Sequence, residues 1–189
     1  MKTGIKWLIG ILIVVLLVIF VGVGYYNSLV SLEQNVDTAR ANIDTQLQRR
    51  SDLIPNLVNT VKGYATQEQQ IFTDIANARA QLAGARNINE EAAADTALSS
   101  ALSRLLLIVE NYPDLKSNQN FMNLSVQLEG TENRIAIARQ DYNTAVTNYN
   151  AKRRRFPTNI IANLFGFEPR AFFEASPGAQ QVPTVDFTR

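Results

Sequence analysis

The side chains that could perform acid–base or metal chemistry in this chain are few, because it contains neither histidine nor cysteine. Histidine is the commonest general base and transition-metal ligand, and cysteine supplies thiolate nucleophiles. Ser-His-Asp relays, Cys/His zinc sites and Glu-x-x-His di-metal bundles are therefore excluded. The sequence also lacks a P-loop and a GxGxxG turn after a strand. We predict a protein that is not an enzyme, with no catalytic residue, no metal-binding residue and no cofactor.

Carboxylate-only chemistry is the remaining enzymatic option, and the one adjacent pair of acids does not support it. Glu90 and Glu91 follow Asn89, a residue type that commonly caps helix N-termini. Acidic residues in a first helical turn are stabilised by the helix dipole. We therefore interpret this group as a helix start, and no site emerges from it.

A second charged group consists of Arg49, Arg50 and Asp52, followed by Pro55. One interpretation is a partner-binding site, but the residue types favour a helix boundary. Asp52 would be the N-cap of a new helix, and Pro55 would occupy its first turn, where a missing N–H costs nothing. The alternative is that Pro55 only kinks one long helix, and the sequence does not decide between a hairpin and a kink.

Tyr112, Pro113 and Asp114 follow the third apolar helix pattern. A proline disfavours helical backbone at the residue before it, so this helix should stop there. We interpret the segment as a turn first and as a docking loop for a partner second.

The most distinctive local pattern is a run of four cations, Lys152, Arg153, Arg154 and Arg155, followed by an unusually apolar segment that includes Phe165 and Phe167. Cations at a helix C-terminus are favourable in themselves. They could also face anionic lipid headgroups while the aromatic rings enter the membrane interface. The alternative is that the rings pack against the bundle or a neighbouring chain, and the residues favour packing slightly. From Ser176 onward we predict a loose extended tail.

These groups require elements to position them, and the first element is apolar. Residues 7–26 contain no charged side chain, and twenty helical residues span about 30 Å, the thickness of a bilayer core. The predicted anchor residues are Trp7, Phe20, Tyr25 and Tyr26, with aromatic rings near both ends as in an aromatic belt. The apolar stretch is longer than a typical signal peptide core and no Ala-x-Ala site follows it, so we expect an uncleaved anchor.

Beyond the anchor, four apolar stripes recur at steps of three and four residues, the pattern of amphipathic helices. On the fourth, Glu132 and Arg139 are explained by surface charge pairing. We see no convincing strand. The predicted fold is all-α, with an N-terminal transmembrane helix followed by a long antiparallel bundle of about four helices. The predicted domains are residues 1–28 as the anchor, 29–156 as the bundle, and 157–189 as the C-terminal apolar segment and tail.

Net charge is +1, so nothing suggests nucleic acid as a partner. Lys2 and Lys6 precede the anchor, while the residues just after it carry little positive charge. This bias predicts a cytoplasmic N-terminus and a bundle outside the cytoplasm, in the inner membrane of a bacterium. The expected partners are the lipid bilayer, further copies of the chain, and a second envelope protein.

Several strings of residues, in order along the chain, resemble the LemA family. They are Tyr26-Asn-Ser-Leu-Val30, Ile43-Asp-Thr-Gln-Leu-Gln-Arg-Arg50, Asp52-Leu-Ile-Pro-Asn-Leu-Val58, Val61-Lys-Gly-Tyr-Ala65, Tyr112-Pro-Asp-Leu-Lys116 and Thr131-Glu-Asn-Arg-Ile-Ala136. The resemblance implies a bacterial envelope protein with a membrane helix and a helical bundle. It implies no established enzymatic chemistry, and magnetosome-associated relatives suggest a role in membrane organisation.

Two functional hypotheses follow. The first is a structural or scaffolding protein that self-associates through helical faces. The second is a membrane-tethered adaptor or sensor that presents its bundle to a partner protein. The size of the particle in mild detergent would separate them.

Overall fold

The computed structural model describes residues 2–174, and within that range it contains no strand. Of the described residues 84% are helical, which confirms the predicted all-α class. Four long helices and two short ones follow one another along the chain: α1 (Lys2–Lys62), α2 (Gln69–Gly84), α3 (Ile88–Val109), α4 (Pro113–Lys116), α5 (Gln119–Arg154) and α6 (Thr158–Leu164). The loose tail predicted from Ser176 onward lies outside the described residues.

The chain divides into two compact units, and the boundary crosses α1 and α5. Unit 1 combines Met1–Asn42 with Gln140–Ala171, and unit 2 combines Ile43–Arg139 with Phe172–Arg189. The predicted division at residues 28 and 156 remains a prediction.

α1 is continuous through Pro55 and ends at Lys62, so of the two alternatives that the sequence left open the chain forms one long helix and no boundary lies at Asp52. Asp52 is exposed and accepts a hydrogen bond from Gln48 Nε2, one turn earlier in the same helix, at 2.8 Å. Pro55 removes a single helical hydrogen bond. The apolar stripe continues across it, because Ile54, Leu57 and Val61 are all buried. Packing of this face keeps the helix intact.

Residues 63–68 form the connection between α1 and α2. Two amides, those of Tyr64 and Ala65, donate to the Val61 carbonyl at 2.9 Å and close the last turn. α2 then begins at Gln69 without a side-chain cap. Gly84 is the last residue of α2.

α2 and α3 form a helical hairpin, joined by residues 85–87. The N-cap of α3 is Asn87, whose side chain accepts hydrogen bonds from the amides of Asn89 and Glu90 at 3.1 and 2.9 Å. The prediction of Asn89 as the cap is therefore wrong by two residues. Glu90 does lie in the first turn, and its carboxylate accepts a hydrogen bond from Asn87 Nδ2 at 2.7 Å.

The core of unit 2 is one apolar cluster built from α1, α2, α3, α4 and α5. Its members follow the helical stripes: Ile54, Leu57, Val61, Ala65, Ile71, Phe72, Ile75, Ala78, Leu98, Ala101, Leu102, Leu105, Val109, Leu115 and Phe121. α4 contributes Leu115, which is fully buried. The short helix between α3 and α5 thus closes one end of this cluster.

Unit 1 contains residues 2–42 of α1, residues 140–154 of α5, α6 and an extended segment, residues 167–171, which we call the strap. Leu29 and Val36 of α1 are buried, as are Tyr142, Val146 and Tyr149 of α5. At the end of α6, Gly166 has a φ of +73°, which favours glycine, and the Phe167 amide donates to the Ala162 carbonyl at 2.9 Å. This reversal directs the strap back along α5.

The N-terminal part of α1 exposes an unbroken series of large apolar side chains from Trp7 to Val23. Its most apolar stretch has a mean hydropathy of 3.0 and buries none of its residues. Soluble proteins rarely expose an apolar surface of this size. An N-terminal helix of this kind fits a membrane location. α3 is also long and apolar enough to pass the same test, but it is 39% buried and contributes to the core of unit 2.

Candidate functional site

A buried cluster of charges joins three helices of unit 2. Arg50 of α1 is 4% exposed and Asp95 of α3 is 1% exposed. Arg50 Nη1 donates to Asp95 Oδ1 at 2.8 Å, and Arg50 Nη2 donates to Ser99 Oγ at 3.0 Å. The second carboxylate oxygen of Asp95 accepts from Arg139 Nη2 of α5. One carboxylate therefore holds guanidinium groups from two different helices.

Glu132 of α5 completes this arrangement, which we call the ion-pair cluster (Arg50, Asp95, Glu132 and Arg139). Glu132 Oε2 lies 2.8 Å from Arg50 Nη1. That contact lacks the alignment of a hydrogen bond, so Asp95 is the better partner of Nη1. On the far side, the guanidinium of Arg139 lies over the ring of Phe173, 4.4 Å from its centroid. This is the geometry of a cation–π contact.

A cleft of about 370 Å³ opens beside the cluster. Arg50 and Glu132 line it together with serines and leucines of α1, α3 and α5: Leu57, Ser99, Leu102, Ser103, Leu106, Ser125, Leu128 and Glu129. Within residues 2–174, neither Ser125 Oγ nor Arg50 Nε has a hydrogen-bond partner. The cleft therefore combines polar side-chain atoms with an apolar lining of leucines.

The chemistry open to this cluster is limited. A guanidinium stays protonated and cannot act as a general base. Within residues 2–174, no three carboxylates lie together in a way that could hold a metal ion. Buried ion pairs of this kind fix the register of helices more reliably than they add stability. The arrangement positions α1, α3 and α5 rather than supplying a reactive group.

The other residues predicted around Arg50 do not join it. Arg49 and Asp52 are exposed on the surface of α1, and Pro55 is half-buried within the helix. The turn predicted at Tyr112, Pro113 and Asp114 is instead the start of α4, with Tyr112 as its N-cap and Pro113 in the first turn. Pro113 and Asp114 are exposed, and Tyr112 Oη makes a long hydrogen bond of 3.4 Å to Glu68.

The four cations at the end of α5 separate into two pairs. Lys152 Nζ lies over the Tyr25 ring, 5.3 Å from its centroid, and Arg153 Nε donates to the Phe167 carbonyl at 2.6 Å. Arg154 and Arg155 are exposed. The first pair acts inside unit 1, whereas the second pair is available to the surroundings.

The aromatic residues near these cations separate in the same way. Tyr26 contacts the rings of Phe165 and Phe167 edge-on, with centroids 5.0 and 5.6 Å apart. Phe167 is buried, but Phe165 is exposed. Among the other predicted anchor residues, Trp7 and Phe20 are exposed and Tyr25 is half-buried.

The strap is held by side chains on one face of α5. Tyr142 Oη donates to the Ala171 carbonyl at 2.9 Å, and Tyr149 Oη donates to the Glu168 carbonyl at 2.8 Å. Asn150 pairs with both the amide and the carbonyl of Arg170, at 3.0 and 2.8 Å. Burial raises the pKa of Tyr149, and the charge of Glu33 adds to the effect. The hydroxyl therefore remains a donor at neutral pH.

Sequence reasoning missed Asp95 and interpreted Glu132 and Arg139 as surface charges. A signal for Asp95 does exist: it precedes Leu98, Leu102 and Leu105 at helical spacing, on the buried face of α3. Arg50 lies on the buried stripe of α1 in the same way, between Leu47 and Ile54. Opposite charges on two buried stripes are a recognisable indication of a buried pair.

Several known proteins are similar to this chain. Magnetosome protein MamQ 2 of Paramagnetospirillum magneticum is 29% identical over 178 residues, which cover 80% of this chain and 65% of the relative. Magnetosome protein MamQ of Magnetospirillum gryphiswaldense is 26% identical, with the same coverage. Protein LemA of Metamycoplasma hominis is 27% identical over 161 residues, covering 83% of this chain and 72% of the relative. None of these names denotes an enzyme.

The chain spans slightly under two thirds of the length of the MamQ relatives. The family model matches residues 39–187. This range includes both arginines of the ion-pair cluster, the strap and α6, and it confirms the resemblance found in the sequence. The chain belongs to the LemA family.

Proposed function

We propose that this protein is a membrane-anchored, non-enzymatic scaffold of the bacterial envelope that self-associates through α5. The observation that carries the proposal is a row of exposed apolar residues on unit 2. Met122, Val126 and Ile137 are all exposed on this helix, and Val126 is 68% exposed. Apolar surface left facing water favours association.

The spacing of these residues supports a single contact face. Steps of four and eleven residues return close to the same side of an α-helix, so the three side chains share one side of α5. α3 adds Leu106 and Leu107, which are also exposed. Leu106 lines the same cleft as Ser125 and Glu129, so this part of α3 lies beside α5.

The ion-pair cluster supports the same role from inside the unit. A surface that binds other copies of the chain requires its helices, and the residues on them, to keep fixed relative positions. Asp95 ties α3 to α1 and α5, the helix that carries the exposed row. Fixing helix register is the best-attested use of buried charges.

We place the protein in the inner membrane with a single span formed by the apolar part of α1. The length and hydropathy of that segment support this placement. Lys2 and Lys6 before the span favour a cytoplasmic N-terminus, with the rest of the chain outside the cytoplasm. Two of the relatives carry the name magnetosome protein, and we carry over from them only the idea of a structural role.

The alternative is a membrane-tethered adaptor that presents unit 2 to one protein partner. The cleft beside Arg50 favours it, since a side chain of the partner could enter and reach polar atoms there. In that case the exposed row on α5 would contact the partner rather than a second copy.

The test is the mass of the full chain in lipid nanodiscs, measured by mass photometry or native mass spectrometry at several protein-to-lipid ratios. Scaffolding predicts dimers or larger assemblies whose fraction grows with protein density. Val126→Glu should remove most of this association, because a charge would replace an apolar contact. A matched control is Asn77→Glu, at an exposed polar position on α2, which should leave association unchanged.

A chain that stays monomeric at every protein density would exclude self-association. The adaptor role would then be favoured. Equal association of both variants would show that contact does not involve α5. Circular dichroism of each variant verifies that the helices are intact.

A further inference from the structure

α6 has an unusual distribution of side chains for a surface helix. Thr158 and Ala162 are buried against the rest of unit 1. On the outer side, Ile160 is 56% and Leu164 is 72% exposed. The flanking Phe156 and Phe165 are 80% and 58% exposed. A helix facing water normally carries polar residues on its outer side, whereas large apolar side chains are exposed on the outer side of this one.

The attachment point of α6 on α1 gives its position relative to the apolar segment. Ile161 Cδ1 lies 3.7 Å from the place that a side chain at Gly22 would occupy. The ring of Phe165 contacts Tyr26, one turn further along α1. α6 therefore packs against the last turn of the stretch that ends in the aromatic pair Tyr25 and Tyr26.

Between α6 and α1 runs a groove of about 370 Å³. Its lining is almost entirely apolar and consists of Val18, Ile19, Gly22, Val23, Tyr26, Ile161 and Phe165. It is continuous with the exposed apolar surface of α1. Any molecule that covers the exposed apolar surface of α1 would therefore also fill this groove.

Charge at the end of α5 fits the same surroundings. Lys152 and Arg153 are engaged within unit 1, but Arg154 and Arg155 are exposed and immediately precede Phe156. Exposed cations next to exposed aromatic rings are typical of segments that lie at the surface of an anionic bilayer.

We infer that residues 154–165 form a second, interfacial membrane contact, in which α6 lies at the headgroup level of the bilayer that α1 spans. Phe156, Ile160, Leu164 and Phe165 enter the acyl boundary. Arg154 and Arg155 face lipid phosphates. The inference rests on the membrane placement of α1 in the proposed function but not on self-association.

The test uses tryptophan fluorescence of the full chain in nanodiscs that contain brominated lipid. Trp7 is the one native tryptophan, so Phe165→Trp is made in a Trp7→Phe background. Insertion predicts a blue-shifted emission that falls several-fold when lipids brominated near the top of the acyl chain are used. The matched control is Asn77→Trp in the same background, at an exposed position of α2 in unit 2, which should show no quenching.

Each outcome decides the inference. Red-shifted, unquenched emission from the Phe165→Trp variant would mean that α6 faces water. Blue-shifted but unquenched emission from this variant would mean that protein covers α6, either a second copy or a partner. Both results overturn the lipid contact. If α1 also fails to enter the bilayer, shown by lack of quenching at native Trp7, the proposed membrane placement fails as well.

A second measurement guards against misfolding of the tryptophan variant. The chain has no cysteine, so Leu164→Cys gives a unique site for a nitroxide label. Insertion predicts high collision with oxygen and low collision with a water-soluble nickel chelate. The opposite ratio would overturn the inference.

The charge component is tested by the preference for anionic lipid. Replacing Arg154 and Arg155 by Gln should lower the enrichment of spin-labelled phosphatidylglycerol around the protein by about five-fold for each charge at low salt. The control replaces Arg49 and Arg134, exposed cations elsewhere on the chain, and should have no effect. Equal losses from both pairs would contradict a local contact.

Discussion

Each of the two units of this molecule uses a different kind of polar interaction within itself. Unit 2 uses side chains that bind side chains: Asp95 receives Arg50 and Arg139 in a buried ion-pair cluster. Unit 1 uses side chains that bind main chain: Tyr142, Tyr149 and Asn150 satisfy the carbonyls and one amide of the strap.

The difference follows from the elements involved. Helices form hydrogen bonds among their own backbone groups. In unit 2 the buried polar side chains can therefore bind one another and set how the helices align. The strap is extended and has no neighbouring strand among the described residues, so its backbone requires partners from side chains. Residue type reflects this division, with charges in the first case and tyrosine hydroxyls and an amide in the second.

The largest expected effect comes from breaking the ion-pair cluster. Asp95→Asn leaves Arg50 and Arg139 buried without their shared carboxylate, and we expect a loss of about 3 kcal/mol in the free energy of unfolding. Urea unfolding of the full chain in detergent, with hydrogen exchange to localise the loss to unit 2, measures this. Asp74→Asn, which removes the exposed partner of Arg104, should cost less than about 1 kcal/mol. Equal losses in the free energy of unfolding for the two variants would show that burial does not make the ion pairs of Asp95 more important for stability than the pair of Asp74.

The corresponding variant in unit 1 is Asn150→Ala. It removes two hydrogen bonds to Arg170, and at about 1 kcal/mol each we expect a loss of about 2 kcal/mol. Amide exchange should accelerate in the strap and leave α3 unchanged. Asn148→Ala, an exposed asparagine of the same helix, is the control. Faster amide exchange in unit 2, and not in the strap, would contradict the interpretation that Asn150 stabilises the strap specifically.

Alkaline pH should act on unit 1 through Tyr149. Its ordinary pKa of 10.0 is raised by burial in the folded state, so the folded state holds the phenolic proton more tightly than the unfolded state does. The stabilisation is full below the ordinary pKa and is lost as pH rises through the raised pKa. Tyr149→Phe should cost about 1 kcal/mol at neutral pH and flatten the fall in melting temperature at alkaline pH. Tyr64→Phe, at an exposed tyrosine of unit 2, should follow the unmodified protein.

The smallest expected effect concerns the charges of unit 1. Arg170 Nη2 lies 2.9 Å from Glu33 and 3.2 Å from Asp37, but all three side chains are partly exposed. Arg170→Gln should therefore cost only about 0.5 kcal/mol. The difference from the unmodified protein should vanish in about 1 M salt, where the screening length falls to about 3 Å. If Arg170→Gln lowered the free energy of unfolding as much as Asp95→Asn, the proposed difference between the polar interactions of the two units would be contradicted.

The sequence predicted the elements of this fold well, because helical stripes are local. Leu29, Val36, Ile43 and Leu47 could be assigned to a buried face from spacing alone, and all four are buried. The stop before Pro113 is local in the same sense. The sequence could not decide between a helix boundary at Asp52 and one long helix, because the local capping residues favour a boundary whereas packing of Ile54 and Leu57 keeps the helix intact. That packing depends on helices distant in sequence.

The candidate site was predictable only in part. Arg50 was identified by its neighbours in sequence, yet its partners Asp95 and Glu132 lie on other helices. The strap was not predictable, since residues 167–171 have no periodicity and take their conformation from Tyr142, Tyr149 and Asn150. The apolar character of α6 could be predicted from its composition. Which of the aromatic rings beside it are buried could not be predicted, because that depends on contacts with Gly22 and Tyr26 of α1.

The division of unit 1 between two distant parts of the chain has a consequence for its synthesis. Its α1 portion leaves the ribosome early, whereas its second portion begins roughly 100 residues later, after all of Ile43–Arg139. At translation rates of about 5–20 residues per second, the first portion waits for several seconds without its partners. During that interval the contiguous residues of unit 2 can already form their local helical hairpin. The nascent chain is therefore expected to mature from its middle outward, with unit 1 completed last.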